Sequence, residues 1–593
     1  MNSPKTYFSD NLIKYEEDLK KNDSQMSLYS WLRLIAILVA GLLIYFFATT
    51  QLYVLLIPVG LSIIGFFYFV NKHLAFKSKS IYLQSLIEIN QLEIKGLNGD
   101  YADFDGGKEL MDSNHNYSYD LDVFGSPSLF QSINRTTTLL GRKRLAYILQ
   151  NTLLDKEAIV SRQQQIKELD QLADFRQSFQ AYGMETSEGS NEIDSLLDWL
   201  NTPNFYEGRS WLLVARYVLP ILLLISVGIS IWNPALGNLF WLFLLANMIV
   251  YGMFVKKINH LHSQVSKKND FLNKYAKLFE VQSKISVENK RLTFLKSSAT
   301  DSVNAVMSLK KKVATFDTRL NQLVGIFLNA VFLFDFHCIN GLEKWKKQYK
   351  DEVPKWFDRL GEQDALNSLA NFAFCHPSYI YPNINEDSFS VEATELGHPL
   401  IPVEECITND LVLGDDEKWV ILTGANMSGK STFLRTLGIN TILALIGCPV
   451  FAKTFNCPLL EVKTSMRLTD SLSERSSYFY AELKRLASII DDLAAGKQML
   501  VICDEVLKGT NSEDKLSGSM ALLKRLVKYQ CLGIIATHDL DLGLLEEELP
   551  QLITNHCFES TIEGDELFFD YKLDRGIAKN RNATFLMDKM GIT

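Results

Sequence analysis

The sequence predicts a C-terminal α/β domain, preceded by an α-helical region that two transmembrane helical hairpins interrupt. Three observations carry this reading. Leu34 to Asn71 (38 residues) and Tyr217 to Val255 (39 residues) contain no Asp, Glu, Lys or Arg. The segments between and after them repeat apolar residues at helical spacing, as in EAIVSRQQQIKELDQLADFRQSF. From about Val391 short β-branched runs broken by Gly, Pro and Asp alternate with helical stretches, as an α/β layer structure requires.

Each element follows in order. A span needs roughly 20 apolar residues, so each charge-free stretch holds two helices, with turns at Thr49-Thr50-Gln51 and Trp232-Asn233-Pro234. Lys20, Lys21, Arg33, Lys72, Lys77, Lys79, Arg209, Arg216, Lys256 and Lys257 flank the hairpins, while the turns carry no basic residue. The positive-inside rule then puts both termini, the middle segment and the α/β domain in the cytoplasm of a multi-pass inner (plasma) membrane protein. A polar, acidic-containing segment precedes the first span, which argues against a secretory signal peptide. With no acid, lysine or histidine inside the apolar stretches, the hairpins read as anchors and not as an ion path.

The expected division is 1–30, cytoplasmic N-terminal segment; 31–71, first hairpin; 72–210, first helical part; 211–255, second hairpin; 256–390, second helical part; 391–593, α/β domain. Val324 to Phe334 is too short to span and is expected in the core. His260 and His262 stand two apart on a helix, face different ways and are expected at the surface. The lysine clusters at 256–257, 267–268, 310–312 and 344–350 read as solvated helix faces before they read as nucleic-acid contacts.

Composition bounds the function. Of 593 residues, 47% are apolar and 22% charged, which excludes disordered and disulfide-scaffold classes. The net charge of −9 argues against binding nucleic acid through bulk charge. The eight cysteines, all in the second half and without CxxC spacing, read as reduced core thiols.

The chemistry lies in three strand ends. WVILTGANMSGKSTFLRTLG is an apolar strand, a loop matching GxxxxGK[ST], and a helix, the grammar of a P-loop NTPase. Gly424 and Gly429 permit a tight turn, so that Gly424, Ala425, Asn426, Met427, Ser428, Gly429, Lys430, Ser431 and Thr432 can wrap a nucleotide's phosphates against a helix N-terminus. Lys430 is expected on the β/γ-phosphates and the Ser431 hydroxyl on Mg²⁺. MLVICDE ends in Asp504, a second Mg²⁺ ligand, and Glu505, which orients or deprotonates the attacking water. CLGIIATHD brings Thr537 and His538 to the same edge, His538 as a γ-phosphate sensor or water-positioning group. Lys430, Glu505 and His538 are thus the catalytic candidates.

These segments, in order with GHPLIP, ITNDLVL, TDSLSERSSYFYAELKRL, DEVLKGTNSED and RGIAKNRNATFLMDKMGI, resemble the ATPase domain of the MutS mismatch-repair family from about Ala393 to Thr593. The resemblance implies an ABC/MutS-like fold, ATP as the nucleotide, and a head-to-tail homodimer with composite sites. Ser477 falls on the signature-loop serine that reaches the partner's ATP, although ERSSYF replaces the family's glycine-containing turn. It further places Asn426 in the phosphate loop, Asp514 in the loop after the acidic strand, and His538 at the histidine switch.

SPSLFQSINRTTTLLGRKRLAYILQNTLLDKEAIVSRQQQIKEL is similar to the start of the family's core and lever, through N-R-T-x-T-x-x-G-x-x-x-L at Asn134 to Leu145 and the Arg162-Gln163 pair. In that order the second hairpin occupies the place of the DNA-gripping clamp, and the first hairpin stands where the mismatch-reading domain with its Phe-x-Glu wedge would be. DNA, mismatched or branched, is therefore a partner by resemblance. The alternative is an ATP-driven membrane-remodelling or transport-associated ATPase that does not act on DNA; no LSGGQ-like signature of an ABC transporter precedes Asp504.

Overall fold

A computed structural model describes residues 3–186, 189, 192–266, 269–414, 416–467, 478–563 and 566–579. The chain opens with a 47-residue helix, Pro4–Thr50. The Ser3 hydroxyl accepts from the Thr6 N–H and Pro4 fills the first turn, where an N–H has no partner to lose. Gln51, left-handed at φ 54°, ends it, and Leu56–Leu97 returns alongside. The segment before residue 31 and the first apolar stretch are thus one unbroken helix. At 1.5 Å per residue it is ~70 Å long, over twice a bilayer's hydrocarbon thickness. Polar clasps join the pair: Asn22 Nδ2 donates to Phe76 O (2.8 Å), Ser80 Oγ to Asp23 (2.9 Å), and Ser62 Oγ to Ala36 O (2.7 Å).

The second pair, Trp211–Trp232 and Asn238–Val265, is joined through a 3-10 turn at Pro234–Leu236. Among the described residues, Pro4–Thr50, Tyr53–Leu97, Trp211–Trp232 and Pro234–Val265 are long and apolar enough to cross a membrane.

The helices between and after the pairs form two cores. Leu139–Gln150, Lys156–Asp170 and Val353–Cys375 pack together against the C-terminal domain. Asn269–Ser283, Lys290–Asp317 and Phe334–Tyr349 form an arm with its own core around Phe279, Phe316, Phe336 and Trp345. Asp364, fully buried, explains the second threonine and the glycine of the NRTxTxxG pattern. It accepts from Thr138 N (2.9 Å), Thr138 Oγ1 (2.7 Å) and Thr137 N (3.1 Å). A Cβ at Gly141 would lie 2.2 Å from its Oδ2, so only glycine fits there.

The C-terminal domain has two sheets. Strands β1 (Asn383–Asn385), β2 (Val391–Leu396), β3 (Asn409–Leu413) and β5 (Thr454–Pro458) pair in the order β1-β5-β2-β3. Strands β4 (Trp419–Gly424), β6 (Glu461–Ser465), β7 (Met499–Asp504), β8 (Cys531–Thr537), β9 (Ile553–Glu563) and β10 (Glu566–Arg575) make a sheet ordered β10-β9-β4-β8-β7-β6. It is parallel except for the β9/β10 hairpin. Its central strands are apolar throughout because helices cover both faces, Lys430–Leu445 on one, Tyr478–Ala494 and Ser512–Leu526 on the other. All eight cysteines are free thiols, five of them buried.

Three expectations are corrected. His262 is buried, its Nε2 2.9 Å from Asp317 Oδ1, and only His260 is at the surface. Lys346, inside a cluster read as a solvated face, is buried and donates to Thr202 O (2.5 Å). Of the segment Val324 to Phe334, Leu333 is in the arm's core, but most of the segment forms the helix Gln322–Phe332, whose apolar residues Leu323, Ile326 and Phe327 are exposed. Sequence reasoning took a short apolar run to be buried in protein, whereas here its polar positions face inward.

Candidate functional site

The site forms at the C-terminal ends of β4, β7 and β8, which parallel pairing aligns (Thr423 opposite Thr537, Asp504 opposite Ala536). This is the edge at which open α/β sheets bind ligands. Beyond β4 the chain turns through Gly424 (φ 153°) and Gly429 (φ 102°), with Met427 also left-handed at φ 68°. A Cβ on Gly424 would meet Phe558 O at 2.9 Å, so the loop's tight seat on β9 requires glycine. Helix Lys430–Leu445 starts directly after Gly429 and points its N-terminal N–H groups into the loop.

Within the loop, Ser428 is buried and its Oγ has no hydrogen-bond partner. Asn426, Met427 and Thr432 are exposed, and Ala425 is half-buried. The Lys430 ammonium folds back onto the carbonyls of Gly424 (2.8 Å) and Ala425 (2.7 Å). Burial pushes its pKa down to about 8, against the opposing pull of Asp504 and Glu505. The Ser431 hydroxyl donates to Asp504 Oδ2 at 2.5 Å. A cradle of loop N–H groups, an orphaned hydroxyl, a lysine and a hydroxyl–carboxylate pair is a donor set that fits a nucleotide's phosphates with Mg²⁺.

Glu505 follows Asp504 with φ 53°, and Leu507 has φ 60°. Left-handed backbone at a non-glycine residue stores about 1–3 kcal/mol. Two hydrogen bonds hold this turn: Glu505 N donates to Ala536 O (2.9 Å), and Leu507 N to the buried Glu482 carboxylate (2.6 Å). The Glu505 carboxylate faces Lys515 (3.5 Å), His538 Nε2 (3.8 Å) and Lys508 (3.9 Å). Burial and the nearby Lys430 charge lower the pKa of His538, so the ring is neutral at pH 7.

The structure therefore brings Lys430, Ser431, Asp504, Glu505 and His538 to one edge. Thr537 accepts from Asp539 N (3.0 Å) and shapes that turn. Asp514 lies in the first turn of Ser512–Leu526, where it exchanges hydrogen bonds with the cap Asn511 (2.9 and 2.8 Å). Ser477 lies outside the described residues.

Sequence reasoning missed Glu482 and a larger feature, the contact between the helical region and the sheet. Asp120, fully buried, accepts from Thr464 Oγ1 (2.7 Å), Met466 N (3.1 Å) and Arg467 N (3.0 Å) and pairs with Arg485 (3.0 Å). Asp122 takes a bidentate grip from Arg467 (2.5 and 2.8 Å) and pairs with Arg435 (3.1 Å), which stands on the helix that follows the phosphate loop. No local pattern marks these acids, because their partners lie more than 300 residues away.

Comparison with known proteins agrees with this geometry. Residues 420–587 match the family model described as MutS domain V. The DNA mismatch repair protein MutS of Thermotoga sp. (strain RQ2) is 32% identical over 235 residues, 39% of this chain and 29% of that protein. The MutS of Bacillus subtilis (strain 168) is 29% identical over 260 residues, 42% of this chain and 29% of the relative. The MutS of Finegoldia magna is 26% identical over 491 residues, 76% of this chain and 56% of that protein, so similarity reaches well into the helical region. The chain spans about three-tenths of the length of the first two relatives and just over half of the third. With its phosphate loop, acidic strand end and histidine strand end in the matched region, the C-terminal part of the chain is similar to MutS domain V.

Proposed function

We propose that this protein is a membrane-anchored ATP hydrolase that works as a homodimer on DNA and couples its nucleotide state to movement of the helical arm. One observation carries the hydrolase reading: Lys430, Ser431, Asp504, Glu505 and His538 converge at one sheet edge, with Ser431 and Asp504 already paired at 2.5 Å. Ser431 and Asp504 would hold Mg²⁺, which supplies neutralisation of phosphate charge. Lys430, released from its loop carbonyls, presents a cation to the terminal phosphates, and the loop N–H groups orient them. Glu505, set by its left-handed backbone, accepts the proton of the attacking water. Neutral His538 beside it offers a second site to position that water.

The remaining parts rest on other support. Membrane anchoring rests on the four long apolar helices. DNA as partner rests on the relatives, whose names describe DNA mismatch repair, and the dimer with a trans-acting Ser477 on resemblance. Arm coupling is supported by the Arg435, Arg467 and Arg485 contacts to Asp120 and Asp122, which tie the phosphate-loop helix to the helical region.

The second reading, an ATP-driven membrane-remodelling engine, is favoured by the long first helix. Its start docks on the helical core, with Phe8 buried against Phe374 and the Tyr7 hydroxyl donating to Asp174 (2.6 Å). Movement of the core would therefore reach the apolar hairpin directly. The test is phosphate release from protein in nanodiscs, at fixed low salt, without DNA and with matched, mismatched or branched duplexes. Lys430→Ala and Glu505→Gln are each expected to lower turnover by about 100-fold or more; unchanged turnover would reject the site. Stimulation by a duplex supports the DNA reading, and hydrolysis indifferent to every duplex favours remodelling.

A further inference from the structure

The short helix Gln322–Phe332 is built inside out for a protein in water. Its exposed residues are apolar: Leu323 (83% exposed), Phe327 (60%), Ile326 (57%) and Phe332 (41%). Its buried residues are Gly325 and Asn329. Gly325 is required there, since a Cβ would lie 2.7 Å from Arg319 O. Asn329 Nδ2 donates to Gly325 O (3.0 Å), and its Oδ1 accepts from Asp335 N (2.9 Å), which satisfies the sharp turn at left-handed Leu333. The next helix, Phe334–Tyr349, leaves at 86°.

Charge is removed from this surface on purpose-built contacts. No charged residue occurs from Gln322 to Phe334. The two nearest, Arg319 and Asp335, pair with each other at 2.9 Å and are almost wholly buried. The helix's last carbonyls do not face water either, because Asn247 Nδ2, fully buried, donates to Ala330 O (2.8 Å).

Those partners also fix depth. Asn247 lies nine residues before Lys256 on the helix Asn238–Val265, about 13 Å along the axis and near the middle of its charge-free part. Arg319, just before the short helix, instead donates to Asn259 Oδ1 (2.7 Å), past Lys256 and Lys257. The short helix therefore begins at the level of the basic border and ends near the midpoint of the apolar pair.

We propose that Gln322–Phe332 is a fifth membrane element, a re-entrant half-helix embedded in the cytoplasmic leaflet beside the second hairpin, with lipid hydrocarbon as the occupant of its exposed face. It rests on reading the hairpins as membrane-spanning. Non-helical backbone at membrane depth requires its polar groups to be closed by protein, and Asn247, Asn329 and the Arg319–Asp335 pair do this. Because the half-helix joins Lys290–Asp317 to Phe334–Tyr349, it fixes the turning point of the arm in the bilayer.

The test places one nitroxide at a time, through an incorporated ketone amino acid that leaves the native cysteines alone, at Phe327, Ile326, Leu245 and Lys311 of the full chain in phosphatidylcholine nanodiscs. Collision rates with oxygen, which partitions into lipid, and with a nickel chelate, which stays in water, are compared. Leu245, exposed on the second hairpin, reports on the anchor itself, and Lys311, exposed on the arm, on water. Oxygen preference at Phe327 and Ile326 matching that at Leu245, with nickel preference at Lys311, is the expected result. Nickel preference at Phe327 and Ile326 with oxygen preference at Leu245 overturns the half-helix and leaves the anchor standing. Low access of both reagents at Phe327 and Ile326 overturns it in favour of cover by protein, such as a second copy. Nickel preference at Leu245 rejects the anchor reading on which the proposal rests.

Discussion

The α/β domain and the far end of the arm bury opposite chemistry. In β4, Trp419, Val420, Ile421 and Leu422 are fully buried, and polar groups gather at the strand ends. Around the second hairpin, Ile231 (80%), Trp232 (92%) and Leu323 (83%) are exposed, while Asn247, Asn329 and Asp335 are inside. The physical tendency is the same in both: most polar groups away from water find a protein partner, with Asn247 Oδ1 and Asp335 Oδ1 among the exceptions. On the proposal that the hairpins span a membrane, what differs is the medium outside: the hydrophobic effect orders the domain, and polar pairing with close packing orders the arm's end.

The largest test of that contrast is the buried ion pair. Asp335→Ala leaves Arg319 without its carboxylate in a buried site, and is expected to destabilise the arm by about 3–5 kcal/mol. Thermal unfolding in detergent, followed by helical circular dichroism, measures it. Replacing both residues by methionine removes both charges and is expected to recover most of the loss. Equal loss in the single and double variants would show that the pair supplies attraction beyond what its burial demands, and would break the contrast.

The helical core near the domain follows ordinary close packing, so its test is steric. Gly141→Ala drives a methyl into Asp364 and is expected to cost about 1–3 kcal/mol in the same unfolding measurement. Asp364→Ala in the Gly141→Ala background should relieve that clash, making the two effects less than additive.

This pair also shows what could be read from the sequence. The NRTxTxxG pattern is visible in one line of residues, but the reason for its second threonine and its glycine is an acid more than 220 residues away. The phosphate loop was legible because strand, turn and helix are contiguous and the chemistry is local. Asp504, Glu505 and His538 were legible because strand ends carry their own signal. Asp120, Asp122 and Glu482 were not, since an acid that caps a distant loop looks like any surface acid. The run Val324 to Phe334 differs from its expectation for another reason: a length too short to span does not say what covers an apolar face.

At the site itself, the contrast predicts a moderate, pH-dependent effect. Lys430, pushed down to about 8, binds a phosphate chain only as a cation, and a bound polyanion raises its pKa. Affinity for a fluorescent ATP analogue is thus full below pH 8 and lost as pH rises, by at most about tenfold per unit. Equilibrium titrations between about pH 7.5 and about pH 9.5, above the phosphate's own titration, read this loss. Lys430→Arg, which keeps its charge, is expected to give a flat profile.

The smallest effect discriminates most finely between the two regions. Asn440 and Asn247 are both fully buried amides that donate to backbone carbonyls, Asn440 to Gly397 O (3.0 Å) and Thr436 O (2.8 Å), Asn247 to Ala330 O (2.8 Å). Asn440 Oδ1 also accepts from Phe451 N (2.8 Å), whereas Asn247 Oδ1 has no partner. Asn440→Leu therefore orphans a donor in a water-folded core, an expected loss of about 1–3 kcal/mol. Asn247→Leu removes one donor from a helix end in an apolar setting, where measured interhelical hydrogen bonds average about 0.6 kcal/mol. Unfolding of both variants in nanodiscs is expected to keep that order. If Asn247→Leu is the more damaging, the Ala330 carbonyl has no other partner at depth, and polar closure of the half-helix matters more to stability than any comparable contact in the α/β domain.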